Sequence, residues 1–257
     1  MKNCALLTIG MALSLPLPDA HAAPEEIQVY MDELSHPGES GVDIHNNYVV
    51  SGSATPGYPG AQTPNHVFKL TPEFYYGLTD NLELGAYILT SRNSYNNVNL
   101  DGEKLRLKYI APKQPGQSDF FGANIEIGYL NGRLSQNPWG AQLKGIYGYR
   151  SERWTFAVNP NIDWSIAGPV AAPATFEIDT KVSYAIKTDF AVGIESYNGL
   201  GSVDRSVSPN QQSQNLYVVL DTSALGLDVN FGIGRGFSQV SDKWVAKAIV
   251  SVPFGKK

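Results

Sequence analysis

The stretch WTFAVNPNIDWSI, from Trp154 to Ile166, constrains the fold more than any other part of the chain. Its even-numbered residues are all apolar or proline. The odd ones between them are Thr155, Ala157, Asn159, Asn161, Asp163 and Ser165, small or polar throughout. Strict alternation over thirteen residues describes an extended strand with one greasy face and one wet face. In a soluble sheet the greasy face turns inward. In a membrane barrel it turns outward to lipid and the wet face lines the lumen.

The same pattern recurs about twelve times, broken by turn residues. It includes Val42–Val50, Phe68–Tyr76, Leu82–Ile88, Leu105–Ala111, Phe121–Tyr129, Trp139–Tyr147, Phe176–Ile186, Phe190–Ile194, Leu216–Leu220, Leu227–Ile233 and Trp244–Phe254. No helical period of any length appears. Tight connections at 77–81, 150–152, 187–189 and 223–224 alternate with longer ones at 53–65, 93–102 and 199–212, and with moderate ones at 132–136, 167–174 and 236–242. Short turns on one side and long loops on the other fit an outer-membrane barrel. One connection on the tight side, PKQPGQ at 112–117, is longer than that rule prefers.

Charge decides which face is wet. Sixteen ionisable residues fall on the polar faces: Lys69, Glu73, Glu83, Lys104, Arg106, Lys108, Glu126, Lys144, Asp163, Glu177, Asp179, Lys181, Glu195, Asp221, Asp228 and Lys247. The apolar faces carry almost none. About eight strands already make an interior that side chains can fill, so twelve enclose a wider tube better filled by polar groups and water. Aromatics also gather at both strand ends. Phe74, Tyr76, Tyr147, Tyr149, Trp154, Phe156, Tyr184, Phe190 and Phe254 lie near the tight turns. Phe68, Tyr129, Trp139, Trp164, Phe176 and Trp244 lie near the long loops. Two interfacial girdles account for both sets. The expected fold is therefore all-β: a single closed antiparallel transmembrane β-barrel of about twelve strands with a polar lumen. The competing reading is a soluble sandwich or lipocalin-like barrel. Gly255-Lys256-Lys257 after the terminal aromatic favours it, as do Pro72 and Pro160 in mid-strand, which the membrane reading assigns to bulges.

The N-terminus reads as a secretory signal peptide over residues 1–22. Lys2, a short apolar run from Ala5 to Leu15, and small residues around Ala20-His21-Ala22 make up its three parts. The run is too short to span about 30 Å of hydrocarbon as a helix. Cleavage removes Cys4, the one cysteine, so no disulfide is available. Residues 23–41, including the strand-like EIQVYMDE (26–33), form a periplasmic or lumen-tucked segment. The barrel occupies 42–254, and 255–257 are a tail. Charged residues are 17% of the chain, against about a quarter in a typical soluble domain. The net charge of -5 leaves no basic footprint for nucleic acid.

Little in the sequence points to catalysis. Beyond the signal, His36, His45 and His66 are the only histidines, and their spacing matches no metal site. Ser51 shares a face with His45 but lies six residues along the strand, too far to bond directly. The glycines of GIGRG (232–236) open no helix and make no phosphate loop. The chain is expected to use no cofactor, with a rim hydrolase as a minor alternative. The ladder Lys104-Arg106-Lys108 reads either as a strip attracting anions or as part of a lumen ion-pair network with Glu83 and Glu126 on neighbouring strands. Mixed signs argue against strong ion selectivity.

The stretches EIQVY (26–30), GVDIHNNYV (41–49) and TPEFYYGLTDNLELGAY (71–87) resemble the outer-membrane barrel family named after the meta-pathway of phenol degradation. The resemblance covers about the first third of the chain strongly and the rest as strand pattern. It implies a porin-like or transporter-like protein, linked in some relatives to uptake of aromatic compounds. The family offers no agreed catalytic residues to carry over. The expectation is a channel in the outer membrane for passive passage of small, including aromatic, solutes. Its partners would be outer-membrane lipid, the solute, and the barrel assembly machinery through the strand ending at Phe254. The alternative is a non-conducting structural or sensing barrel with an ion-paired lumen.

Overall fold

The computed structural model describes residues 25–170, 172–224 and 226–255, so the signal-peptide segment and the final two lysines lie outside the described residues. Among the described residues there are thirteen strands: β1 (Ser40–Ser51), β2 (Phe68–Thr79), β3 (Leu82–Arg92), β4 (Val98–Ile110), β5 (Asp119–Leu130), β6 (Trp139–Arg150), β7 (Trp154–Ala167), β8 (Thr175–Lys187), β9 (Phe190–Ser202), β10 (Arg205–Ser206), β11 (Ser213–Ala224), β12 (Leu227–Gly236) and β13 (Trp244–Phe254). β10 is a two-residue extension paired only with the end of β9. The other twelve pair in sequence, all antiparallel, and β1 pairs with β13 to close the ring. A twelve-residue strand rises about 40 Å, or about 28 Å at a 45° tilt, which matches the hydrocarbon thickness.

Burial alternates as the side-chain pattern requires. In β7, Thr155, Ala157, Asn159 and Asn161 are buried while Trp154, Phe156, Pro160, Ile162 and Trp164 are exposed. The exposed face of the wall is apolar on every side: Leu84, Leu107, Ile125, Leu143, Val182, Ile194, Val218 and Ile233 all stand in the open. The aromatics cap this band in contact with one another. Trp154 meets Tyr184 edge-on at 4.9 Å near the turns, and Tyr129 meets Trp139 at 5.7 Å near the loops. The soluble reading, with the large apolar side chains packed centrally, is thereby excluded.

One bulge matters for the interior. Leu89 pairs with Gly102 but Thr90 with Leu100, so Asp101 is an extra residue in β4. Gly102 carries φ +157°, and a Cβ there would lie 2.0 Å from the Tyr129 carbonyl oxygen. The bulge reverses the phase of the strand. Before it Val98 and Leu100 face out; after it Leu105, Leu107 and Tyr109 do, and Lys104, Arg106 and Lys108 turn inward.

The mid-strand prolines do not sit at bulges, contrary to the sequence-based assignment. The β2–β3 ladder skips from Leu70–Thr90 to Glu73–Tyr87, and the β6–β7 ladder from Lys144–Asn161 to Tyr147–Val158, each in unbroken register. Pro72 and Pro160 each keep a partner on the other side, Ile44 and Ile178. Gly145 leaves room for the Pro160 ring, which a Cβ would approach to 3.1 Å. Residues 223 and 224, expected to form a turn, belong instead to β11, which pairs with β12 as far as Ala224–Leu227.

The connections alternate between a turn end, tight except for 111–118 between β4 and β5, and a loop end. At the loop end they are stitched together. The β1–β2 loop reaches past β3 and β4 to the β5–β6 loop, where Gln62 N–H donates to the Arg133 carbonyl at 2.9 Å and the Tyr58 hydroxyl to the Gly132 carbonyl at 3.1 Å. Arg133 in turn holds the bulged Asp101 at 3.1 Å.

Candidate functional site: a charged lumen and the segment inside it

The interior is where the ionisable residues meet. Of the sixteen singled out, Lys69, Glu73, Glu83, Arg106, Lys108, Glu126, Lys144, Asp179, Lys181, Glu195 and Lys247 are buried; Lys104, Asp163, Glu177 and Asp221 are partly so. Asp228, one residue into β12 at the turn end, is exposed and accepts from the Ser223 hydroxyl at 2.5 Å. Three clusters form.

The first centres on Arg106, whose Nη2 lies 2.7 Å from Glu73 Oε1 and 2.7 Å from Glu83 Oε1. Glu83 is on β3, but Glu73 is one strand further, on β2. The guanidinium reaches it because Gly85 stands opposite Arg106 in the ladder. A Cβ at Gly85 would sit 2.6 Å from Arg106 Nε and 2.8 Å from Glu73 Oε1. Glu73 also meets His45 Nε2 at 3.2 Å, which places the buried histidine in a charge network. His66 instead faces the Tyr48 hydroxyl at 3.4 Å.

The second cluster draws on four strands, β8, β9, β11 and β13. Lys247 on β13 ion-pairs Glu195 on β9, and Lys181 holds the same carboxylate at 3.1 Å and Asp221 at 2.9 Å. Lys247 passes over Gly232, its ladder partner, whose missing Cβ would come within 3.1 Å of Lys247 Cε. In the third, Lys144 pairs with Asp179 at 3.5 Å, and Asn161 donates to the same carboxylate at 2.6 Å.

What sequence reasoning left open is the filling between these clusters. Residues 25–35 enter the barrel without joining any ladder, and exposed residues 36–39 lead from them into β1, bonded to β2 where Gly38 N–H donates to the Gly77 carbonyl and Gly77 N–H to the Glu39 carbonyl, both at 2.9 Å. Ile27, Val29 and Tyr30 are buried against inward-facing Val49, Phe120, Ile146, Tyr197, Tyr217, Val219 and Val245. Wall side chains grip the segment backbone. Asn159 accepts from Tyr30 N–H at 2.6 Å and donates back to the Tyr30 carbonyl at 3.0 Å. Lys247 donates to the Ile27 carbonyl at 2.9 Å, Lys108 to the Glu33 carbonyl at 2.7 Å, and Asn47 to the Glu25 carbonyl at 2.9 Å. Glu83 accepts from Ser35 N–H at 2.8 Å.

Ion pairs add to this grip. Lys104 pairs with Glu25 at 2.6 Å. Asp32 pairs with Lys113 and, at 2.8 Å, with Arg150, which also holds Glu33 at 2.6 Å. Burial alone would raise the Glu25 carboxyl, but Lys104 and Lys69 outweigh it and bring its pKa down to about 2. Burial likewise opposes ionisation of Asp32, and Lys113 and Arg150 again prevail, holding it below its ordinary value. For the Tyr30 phenol, burial and then the nearby carboxylates Glu26, Glu73 and Glu126 act together, so it stays protonated.

A trace of this was present in the sequence. Tyr87, Tyr197 and Tyr217 fall on the wet face, and so do Leu89, Val219 and Ile249. A lumen filled only by water would not favour them; a lumen with an apolar segment to bury does.

No family model and no curated protein matches the chain. Solved structures do. An outer membrane channel from Pseudomonas putida F1 aligns over 89% of this chain and 100% of its own, at a TM-score of 0.57 and 16% identity. The KdgM porin aligns over 84% and 99%, at 0.56 and 10%. The NanC porin aligns over 84% and 100%, at 0.53 and 12%. The chain has the fold of a porin-like outer-membrane barrel.

Proposed function

We propose that this chain is an outer-membrane channel for the passive, energy-independent passage of small solutes. The observation that carries the reading is the reversal of polarity across the wall, with ionisable side chains enclosed and large apolar ones outside. The likeness to outer-membrane channels and porins supports it at the level of fold. The outer membrane is then its location, with lipid around the aromatic girdles and the assembly machinery reading the strand that ends at Phe254. The similarity of residues 26–30, 41–49 and 71–87 to the phenol meta-pathway family extends the reading to aromatic solutes.

Residues 25–35 act as an insert that narrows the bore, so flux passes around or in place of them. Reconstitution in planar bilayers tests the channel. Discrete conductance steps are expected, and persistent silence would favour a sealed barrel with a structural or sensing role. The ion-paired, segment-filled interior is the observation on the side of that second reading. His45 engages Glu73 and His66 faces Tyr48, rather than the Ser or Asp that a rim hydrolase would place beside its base.

A further inference from the structure

We propose that the lumen contains a binding site for a one-ring aromatic carboxylate, which in this structure the chain's own Tyr30 and Glu25 occupy. The proposal deepens the channel reading and rests on it for the route by which such a solute arrives.

Three cations surround the Tyr30 ring: Lys144 Nζ at 4.8 Å, Lys108 Nζ at 5.3 Å and the Arg106 guanidinium at 5.5 Å from its centroid. They come from two strands, one from β6 and two from inward positions of β4 set by the Gly102 bulge together with the register to β5. Cations near an aromatic ring are attracted to its face, more strongly where water is displaced. The phenol donates to the Glu26 carboxylate of its own segment, which would leave with it, and its oxygen sits 2.8 Å from the Tyr87 hydroxyl and 3.5 Å from Glu126 Oε1 on the wall. Glu126 also touches Lys104 at 3.8 Å, and Lys104 holds the Glu25 carboxylate at 2.6 Å. A ring socket and a carboxylate socket therefore flank one residue.

Two further observations indicate that the occupant is exchangeable. Residues 25–35 join no β-ladder, and the backbone bonds to the wall lie beyond them, where Gly38 and Glu39 bond Gly77, so withdrawing residues 25–35 breaks side-chain contacts and leaves the ladders intact. Beside the cage, Asn124 Oδ1 and Asn161 Oδ1 are buried acceptors with no hydrogen-bond partner, although their amide nitrogens bond Glu126 and Asp179. Buried acceptors of this kind ordinarily have a donor, and a hydroxylated ring would bring one.

The test uses the full chain in detergent, with 4-hydroxybenzoate as probe and cyclohexanecarboxylate as a control of equal charge without a π face. Calorimetric titration compares wild type, Tyr30→Ala and Tyr30→Ala/Lys144→Met, each first shown folded by heat-modifiable gel mobility. Tyr30→Ala should bind the probe about tenfold more tightly than wild type does. It should prefer the probe to the control by about tenfold, one cation–π contact's worth, and lose that preference when Lys144 is also replaced. Equal binding of the two carboxylates, or no binding by Tyr30→Ala, overturns the site. Should Tyr30→Ala fail to fold, a spin label at Leu34→Cys in the otherwise wild-type chain decides. The site predicts that the probe mobilises the label and the control does not; no effect of the probe refutes it. Conductance without ligand is measured separately. Silent bilayers with selective binding discard the channel and keep the site, whereas open channels with unselective binding do the reverse.

Discussion

Glu195 offers the sharpest energetic test of the enclosed charges. It accepts from Lys247 and Lys181 and from the Tyr197 hydroxyl at 2.7 Å, with almost no access to solvent. Glu195→Gln keeps the shape but removes the charge. Lys181 retains Asp221 at 2.9 Å, so it is not stranded. Lys247 is: its remaining partners are the Ile27 carbonyl at 2.9 Å and the Tyr197 hydroxyl at 3.3 Å, both neutral. Breaking a buried pair from one side costs about 3–5 kcal/mol, because a bare charge stays behind. Lys247→Met differs. Glu195 still has Lys181 and Tyr197, and the main loss is the donor to Ile27, worth about 1–3 kcal/mol. The double variant leaves no stranded charge, so it should lie near Lys247→Met rather than near the sum. Urea unfolding of barrels refolded into lipid vesicles gives the three values. The reasoning fails if Glu195→Gln proves as stable as Lys247→Met, or if the two losses simply add.

Further outcomes follow from the wall and the segment. Ile125→Lys, in mid-strand on the outer face and 47% exposed, should cost about 2–4 kcal/mol in a bilayer, where a soluble barrel would tolerate it; vesicle refolding measures the difference. Gly148→Ala would set a Cβ 2.0 Å from Phe120 Cζ and should destabilise by about 1–3 kcal/mol, with Phe120→Ala in the same chain restoring most of the loss in the same assay. Because folding depresses the carboxyls of Glu25 and Asp32, their contribution to holding the segment is complete above the ordinary carboxylate range. It should fade as pH falls from 4.5 towards about 2. A spin label at position 34 should therefore gain mobility in acid and stay immobile at pH 5 and above; unchanged mobility down to pH 2 would refute this.

Alternation made the wall legible because it is a local property. Trp154 to Ile166 needs no knowledge of its neighbours to declare two faces, and the sign of the charges on the wet face then orients the whole barrel. Partners one strand away could also be read, as with Arg106 and Glu83. Partners two or three strands away could not: Arg106 on β4 meets Glu73 on β2 only because Gly85 lacks a side chain, and Lys247 on β13 meets Glu195 on β9 only across Gly232. The insert was the least legible part. EIQVYMDE looks like a strand, yet it is held by Asn159, Lys108 and Lys247 from distant parts of the chain, with no ladder to mark its register. The prolines misled for a similar reason, since the notch at Gly145 that accommodates Pro160 lies on another strand.

The pairing of β1 with β13 places the ring's seam between the first and the last strand to be synthesised. Until the final eleven residues, from Trp244 to Phe254, are in place, the free edges of β1 and β12 would present unbonded amides and carbonyls to hydrocarbon, which lipid does not tolerate. Assembly is therefore all-or-none: a chain cut short by a single strand has no stable embedded form. The insert is tethered at that seam, so the groups on β1, β4, β7 and β13 that grip residues 25–35 come together around it only when the ring closes.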